Sequence, residues 1–232
     1  MAKKIDIEEL FNAGAHFGHK ASKWNPKMKS YIHSTRRGNH IINLERTVEN
    51  LEAAVEMVKA KVKAGGEVLF VATKTQLKGP VKSAAEECGA GYVVERWPGG
   101  LLTNKATMSA RIKRLRMLET KMDNGDFAKI HSKLELQRIQ EEIDSLNKQF
   151  GGIKDMAGDP AVVIVFDGMT NTLATKEGIK IRAKVVTVCD SNVDPTGIDH
   201  VIPANDDATE AITLIAEYFK DAVTAGKEAR EK

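Results

Sequence analysis

Apolar positions along this chain follow two rhythms, short unbroken runs and stripes spaced three and four residues apart. The runs are Val68–Ala72, Ala161–Phe166 and Val185–Cys189, with shorter ones at Tyr92–Val94 and Val201–Ile202. Runs without polar interruption are expected of strands covered on both faces, as in a parallel sheet. The stripes predict helices over Glu45–Ala64 (Val48, Leu51, Val55, Val58), Thr75–Cys88 and Ala208–Ala225 (Ile212, Ile215, Phe219). A weaker helix is expected over Asn171–Lys180, where Thr172, Thr175 and Gly178 lower the propensity. Ahead of these lie a short amphipathic helix in Ile5–Ala15 and an irregular loop, His16–Lys29. Two strands then follow, Tyr31–Thr35 and His40–Leu44, around the turn Arg36–Asn39. Strand and helix alternating in this way predict an α/β fold, a Rossmann-like (flavodoxin-like) parallel sheet flanked by helices.

The alternation breaks at Tyr92–Asn104. Pro98-Gly99-Gly100 stops any regular element, Trp97 can anchor the turn by burial, and Thr103 or Asn104 can cap the helix that follows. Met108, Ile112, Leu115, Leu118 and Met122 then form one stripe, and Leu136, Ile139, Ile143, Leu146 and Phe150 another, across a turn at Asp123–Asp126. This pattern predicts an inserted antiparallel coiled-coil hairpin. The expected division is an α/β domain made of residues 1–103 and 151–226, a hairpin at 104–150, and a charged, frayed tail that closes the chain at 227–232.

Composition changes this picture in one respect. The net charge is +3, yet residues 1–40 hold eight Lys or Arg against three acids, and four of the six histidines. A basic, aromatic segment on a near-neutral body points to a polyanion, cations serving phosphates and rings serving unpaired bases. The RNA-contact candidates there are His16, His19, Lys20, Lys23, Trp24, Asn25, Lys27, Lys29, Arg36 and Arg37. Lys74 at a strand end, Arg96 and Asn104 at the break, and Lys105 and Arg111 on the basic first helix of the insertion complete the set. Cys88 and Cys189 stand far apart, which argues for a reducing, cytoplasmic setting and against a thiolate zinc site. No apolar run is long enough for a membrane span, so no membrane partner is expected.

No glycine-rich phosphate loop can be written in the sequence. Acids do gather at strand ends, namely Asp167, Asp190, Asp206 and Asp207 with Asn192 and Asn205. One alternative is therefore a Rossmann-like enzyme acting on a phosphorylated ligand with Mg²⁺; another is a coiled-coil adaptor. Asp190, Asn205, Asp206 and Asp207 are also candidate ligands for a divalent cation. Oxygen ligands alone suit Mg²⁺, while Zn²⁺ would draw on His40 or His200. The bland reading is that these acids cap the last helix and order a turn.

Seven blocks in order resemble the bacterial small-subunit ribosomal protein S-two family: Gly14–His19, Trp24–Lys29, His40–Thr47, Phe70–Lys74, Glu95–Asn104, Gly151–Met156 and Ile202–Ala208. The resemblance implies a sheet domain with a projecting helical hairpin. It also implies a structural, non-enzymatic part of the small ribosomal subunit that needs no cofactor and takes no small-molecule substrate. The expected partners are small-subunit ribosomal RNA and neighbouring ribosomal proteins, the S-one protein among them, with a metal near that contact. Ala72, Pro98 and Ala204 depart from the family's usual glycine, aliphatic and glycine. Residues 168–184 lack both the acidic helix and the Gly-Ile-Pro usual there, reading Ile181-Arg182-Ala183-Lys184 instead.

Overall fold

The computed structural model describes residues 5–125, 127 and 132–231. Five parallel strands, β4 (Val68–Val71), β5 (Gly91–Val93), β6 (Val162–Val165), β7 (Lys184–Cys189) and β8 (His200–Pro203), form one sheet in the order β5-β4-β6-β7-β8. Three earlier strands, β1 (Phe17–Lys20), β2 (Ile32–Arg36) and β3 (Asn39–Ile42), form a separate antiparallel sheet in the order β1-β3-β2. The helices are α1 (Ile7–Asn12), α2 (Leu44–Lys63), α3 (Lys78–Cys88), α4 (Lys105–Asp123), α5 (Lys133–Phe150), α6 (Thr172–Lys180) and α7 (Thr209–Glu231).

The unbroken apolar runs do what their composition requires. Along β4, Val68 and Phe70 point into one core with α2, α3 and α7, while Leu69 and Val71 point into another. Strand β6 alternates the same way, Val162 and Ile164 against Val163 and Val165. The second core holds Trp97, Leu101, Leu102, Ala174 of α6 and the bases of α4 and α5. Both faces of the sheet are therefore dry, and a strand between two dry faces has no use for a polar side chain.

Four expectations change. The presumed loop after α1 contains β1, which pairs with β3 through an irregular register between Phe17 and Lys20. Helix α3 begins at Lys78 rather than Thr75, with Pro80 in its first turn, where a missing N–H is tolerated. The tail is not frayed: α7 continues to Glu231, and Lys227 Nζ donates to the carbonyls of Cys88 (2.7 Å) and Gly89 (2.9 Å) at the end of α3. Asn104 sits at the start of α4 but makes no side-chain cap. Of the expected Asp123–Asp126 turn, Asp126 lies outside the described residues, as does Lys232 of the tail.

Helices α4 and α5 share an apolar contact built from Leu115, Leu118, Ile143 and Phe150. Their polar cross-links, Arg114 to Glu142 and Asn147 to Glu119, step along both helices in the same direction. A regular antiparallel coiled-coil seam would step in opposite directions. The pair is therefore two packed helices, with the seam read from the sequence not established.

Candidate nucleic-acid interface and acidic corner

The antiparallel sheet, with the 3-10 turns between β1 and β2, carries the N-terminal cations of the described residues. Arg37 (φ 49°) and Gly38 (φ 81°) form its tight turn, both left-handed as a two-residue hairpin turn demands. Glycine or asparagine normally fills the first of these positions, and here an exposed arginine does. Lys20, Lys23, Lys29, Arg36 and Arg37 are exposed and have no carboxylate partner among the described residues. Beside them His16 stacks on Phe11 (ring centroids 4.3 Å, interplanar angle 9°) and meets Phe17 at 4.0 Å. Burial pushes the His16 imidazole below its ordinary range, so near neutral pH it offers a ring face rather than a charge. Phe11 and Phe17 are more than half exposed.

Other candidates are held differently. Trp24 packs against the His40 ring at 5.0 Å, and His40 is buried with its Nδ1 3.0 Å from Thr35 Oγ1. Asn25 accepts from the Lys27 amide at 3.0 Å, capping the short 3-10 turn over Pro26–Tyr31. Lys27 is already paired with Asp194 (2.9 Å), which together with the Thr196 hydroxyl holds that carboxyl well below its usual range. Lys105 is paired with Asp159. Arg96, Asn104 and Arg111 are exposed.

The two sheets meet at the ends of β7 and β8, where Met28 is buried against Cys189, Val193 and Val201. Beneath this contact the acids collect. Asp190 ends β7, and Asp206 and Asp207 follow β8, which pairs with β7 as expected of strands sharing one edge. Asp190 and Asp206 are almost wholly buried. Lys74, one of the presumed RNA cations, reaches in from the end of β4 to Asp206 (2.7 Å) and Asp207 (2.8 Å). Burial alone would push its ammonium down, but the two carboxylates outweigh that and raise it. Burial lifts the Asp206 carboxyl to about 6, reinforced by Asp190 and Asp207 and opposed by Lys74.

The histidine at this corner is His19, not His40 or His200. Its Nδ1 lies 2.9 Å from Asp190 Oδ2 and its Nε2 3.6 Å from Asp207 Oδ2. Strand β1 carries it there, its amide donating to Ser191 Oγ at 2.9 Å. Asn205 faces elsewhere: its Nδ2 donates to the Gly14 carbonyl and its Oδ1 accepts from the Asp207 amide. Donor atoms of His19, Asp206 and Asp207 lie within 4.8 Å of one another, and Asp206 Oδ2 is buried without a hydrogen bond. One imidazole with carboxylates is a donor set suited to Zn²⁺.

One buried carboxylate escaped sequence reasoning. Glu177, the sole acid in residues 168–184, turns inward from α6 and gathers the break in the fold. It accepts from Trp97 Nε1 (3.1 Å), Gly100 N (2.8 Å), Leu102 N (3.0 Å) and Thr103 N (3.3 Å). Burial would raise its carboxyl, yet these donors prevail and hold it below the usual range. A lone acid in a cationic helix was the only signal.

Asp167, read from the sequence among the acids at strand ends, is wholly buried. Strand order reverses between β4 and β6, the crevice where doubly wound sheets bind ligands. Asp167 fills that crevice with no exposure, accepting from the amides of Thr73 and Lys74 (3.0 Å each) and from the Asn171 side chain. Burial raises its carboxyl against the pull of those donors. The Thr73 and Lys74 N–H groups that could cradle a phosphate in this crevice are thus occupied by the chain's own carboxylate, which disfavours a phosphorylated ligand there.

With this geometry in hand, a family model described as ribosomal protein S2 matches residues 10–226. The chain belongs to the ribosomal protein S2 family. The match runs from α1 through nearly all of α7 and includes both sheets and the α4–α5 insertion. Membership supports a structural role in the small ribosomal subunit, not an enzymatic one. Among the described residues, no helix is long and apolar enough to cross a membrane.

Proposed function

We propose that the chain binds ribosomal RNA in the small subunit through its antiparallel sheet, working at the ribosome in the cytoplasm and supporting assembly and translation. The observation that carries this is the contrast among its cations. Lys27, Lys74 and Lys105 are paired with carboxylates of the chain, whereas Lys20, Lys23, Lys29, Arg36 and Arg37, beside the Phe11–His16–Phe17 stack, are exposed and have no carboxylate partner among the described residues. Free cations next to exposed rings suit a phosphate backbone with unstacked bases. Arg96, Asn104 and Arg111 extend the same role toward the α4–α5 insertion, residues 104–150, which serves as a helical arm on the sheet domain.

At the acidic corner, His19, Asp206 and Asp207, with Asp190 behind His19, would hold a Zn²⁺ ion near a neighbouring protein such as S-one. The ion would supply a rigid cross-link between the two sheets; Lys74 fills the counter-ion role otherwise. The RNA reading is tested by purified small-subunit RNA binding over a salt series. Neutralising Lys23, Lys29, Arg36 and Arg37 together should flatten the dependence on log salt by about four phosphate equivalents, each close to 0.7 in slope for unpaired strands. An unchanged slope refutes it.

A further inference from the structure

The outward arc of α6 has no role in the RNA reading. Exposed large apolar side chains are few among the described residues, and three of them, Met169 (54% exposed), Leu173 (47%) and Ile179 (37%), fall within this one segment. On the helix, Lys176 and Lys180 lie between Leu173 along one edge and Ile179 along the other. Leu173 borders Gly99 at the break before α4, and Ile179 borders Gly197 in the β7–β8 loop. The arc therefore spans from the α4–α5 insertion toward the antiparallel sheet.

Its charge is one-sided. Glu177 is turned inward, and Lys184 is taken by Asp199 at 2.6 Å. Lys176, Lys180 and Arg182 are exposed, without an ion-pair partner among the described residues. Arg182 sits at φ 61° in the C-terminal cap of α6. There its N–H donates to the Ile179 carbonyl and that of Ala183 to the Gly178 carbonyl. That pattern places glycine or asparagine at the left-handed position in most helices. The two non-glycine residues with positive φ among the described residues are both exposed arginines, Arg37 and Arg182. Strain kept at such a position marks a side chain wanted there for something other than stability.

We infer that this arc is the seat of an acidic, apolar-bearing segment of a neighbouring protein. Phosphates would satisfy the three cations but leave Met169, Leu173 and Ile179 without a counterpart, and the arc carries no aromatic ring on which a base could stack. An acidic peptide segment satisfies both, its carboxylates on the cations and its apolar side chains on the rims. The antiparallel sheet differs on both counts, having rings and no comparable aliphatic rim.

The inference rests on the ribosomal reading and is tested inside assembled small subunits. The full chain is prepared with the photo-crosslinker benzoylphenylalanine at Leu173 and, separately, at Met169, beside the unlabelled chain. Cosedimentation of the chains with small subunits is measured first, then the crosslinked species are identified by mass spectrometry. Crosslinks to an acidic stretch of a neighbouring protein support the inference. They should fall about tenfold with K176E/K180E/R182E, as expected from losing three rim ion pairs. Crosslinks to RNA alone, or none from either position in a chain that has entered the subunit, overturn it. Failure of the unlabelled chain to cosediment would instead bring down the ribosomal reading, and this inference with it.

Discussion

Replacing Glu177 tests whether one carboxylate holds the break between sheet and insertion together. In Glu177→Ala the buried Trp97 indole and the buried Leu102 amide lose their acceptor. Each buried donor left unsatisfied costs roughly 1–3 kcal/mol, so the pair puts the loss at about 4 kcal/mol. For a chain of this size that is about 12 °C of melting temperature. Glu177→Gln keeps the volume and one acceptor oxygen but not the charge, and should lose only about 1–2 kcal/mol. Thermal melts followed by circular dichroism read both values. The sign with pH follows from a carboxyl held below its usual range in the folded state. Its contribution is complete above the ordinary glutamate pKa and fades as pH falls through the depressed value, so the gap between wild type and Glu177→Gln narrows below about pH 4. A Glu177→Ala protein melting within about 1 °C of wild type at neutral pH would refute the reasoning.

Trp97→Ala, removing a 7%-exposed ring from the second core, should cost about 3–5 kcal/mol in denaturant titrations, leaving α4 and α5 helical by far-ultraviolet dichroism. Arg182→Gly relieves a left-handed non-glycine and should raise stability by about 1 kcal/mol in the same titrations; a loss would mean that Arg182 makes a contact stabilising the fold. Metal analysis of purified protein should show about one Zn²⁺ equivalent falling to background in His19→Ala and Asp207→Ala; equal content in all three leaves the acids to Lys74 and to capping. Lys27→Ala, a cation already paired with Asp194, should change the RNA salt slope far less than Arg36→Ala or Arg37→Ala.

The central sheet was legible because its strands are buried on both sides, an environment that favours near-continuous runs of Val, Ile, Leu and Phe such as those of β4 and β6. Strand β1 was not: Phe17–Lys20 is half exposed and irregularly paired, so its residues alternate weakly and read as loop. The acidic corner was half legible. Asp190, Asp206 and Asp207 announce themselves at strand ends, whereas His19 and Lys74 arrive from 171 and 132 residues away in sequence and leave no local trace. Glu177 was hidden by the opposite circumstance, since a buried acid inside a weak, cationic helix looks like one more solvated charge until its five donors are seen. The end of α7 was misjudged because its charges suggested fraying, while Gly226 lets the helix lie close against Val62 of α2.

That last helix bears on how the chain comes to be folded. The first core includes Ile212, Ile215, Phe219 and Val223, all from α7, packed against α2 and α3, which lie more than a hundred residues earlier in the sequence. The inner strand β4 likewise waits some ninety residues for its neighbour β6. Until β6 and α7 are made, the nascent chain has an open hydrophobic face and an unpaired strand edge, the two features that make partly made proteins adhere to one another. Closure therefore waits for α7, and a chain stopped before Thr209 should be degraded or aggregate rather than fold in part. A component of the translation machinery with this architecture emerges from one ribosome open and adhesive for most of its synthesis before it can take its place in another.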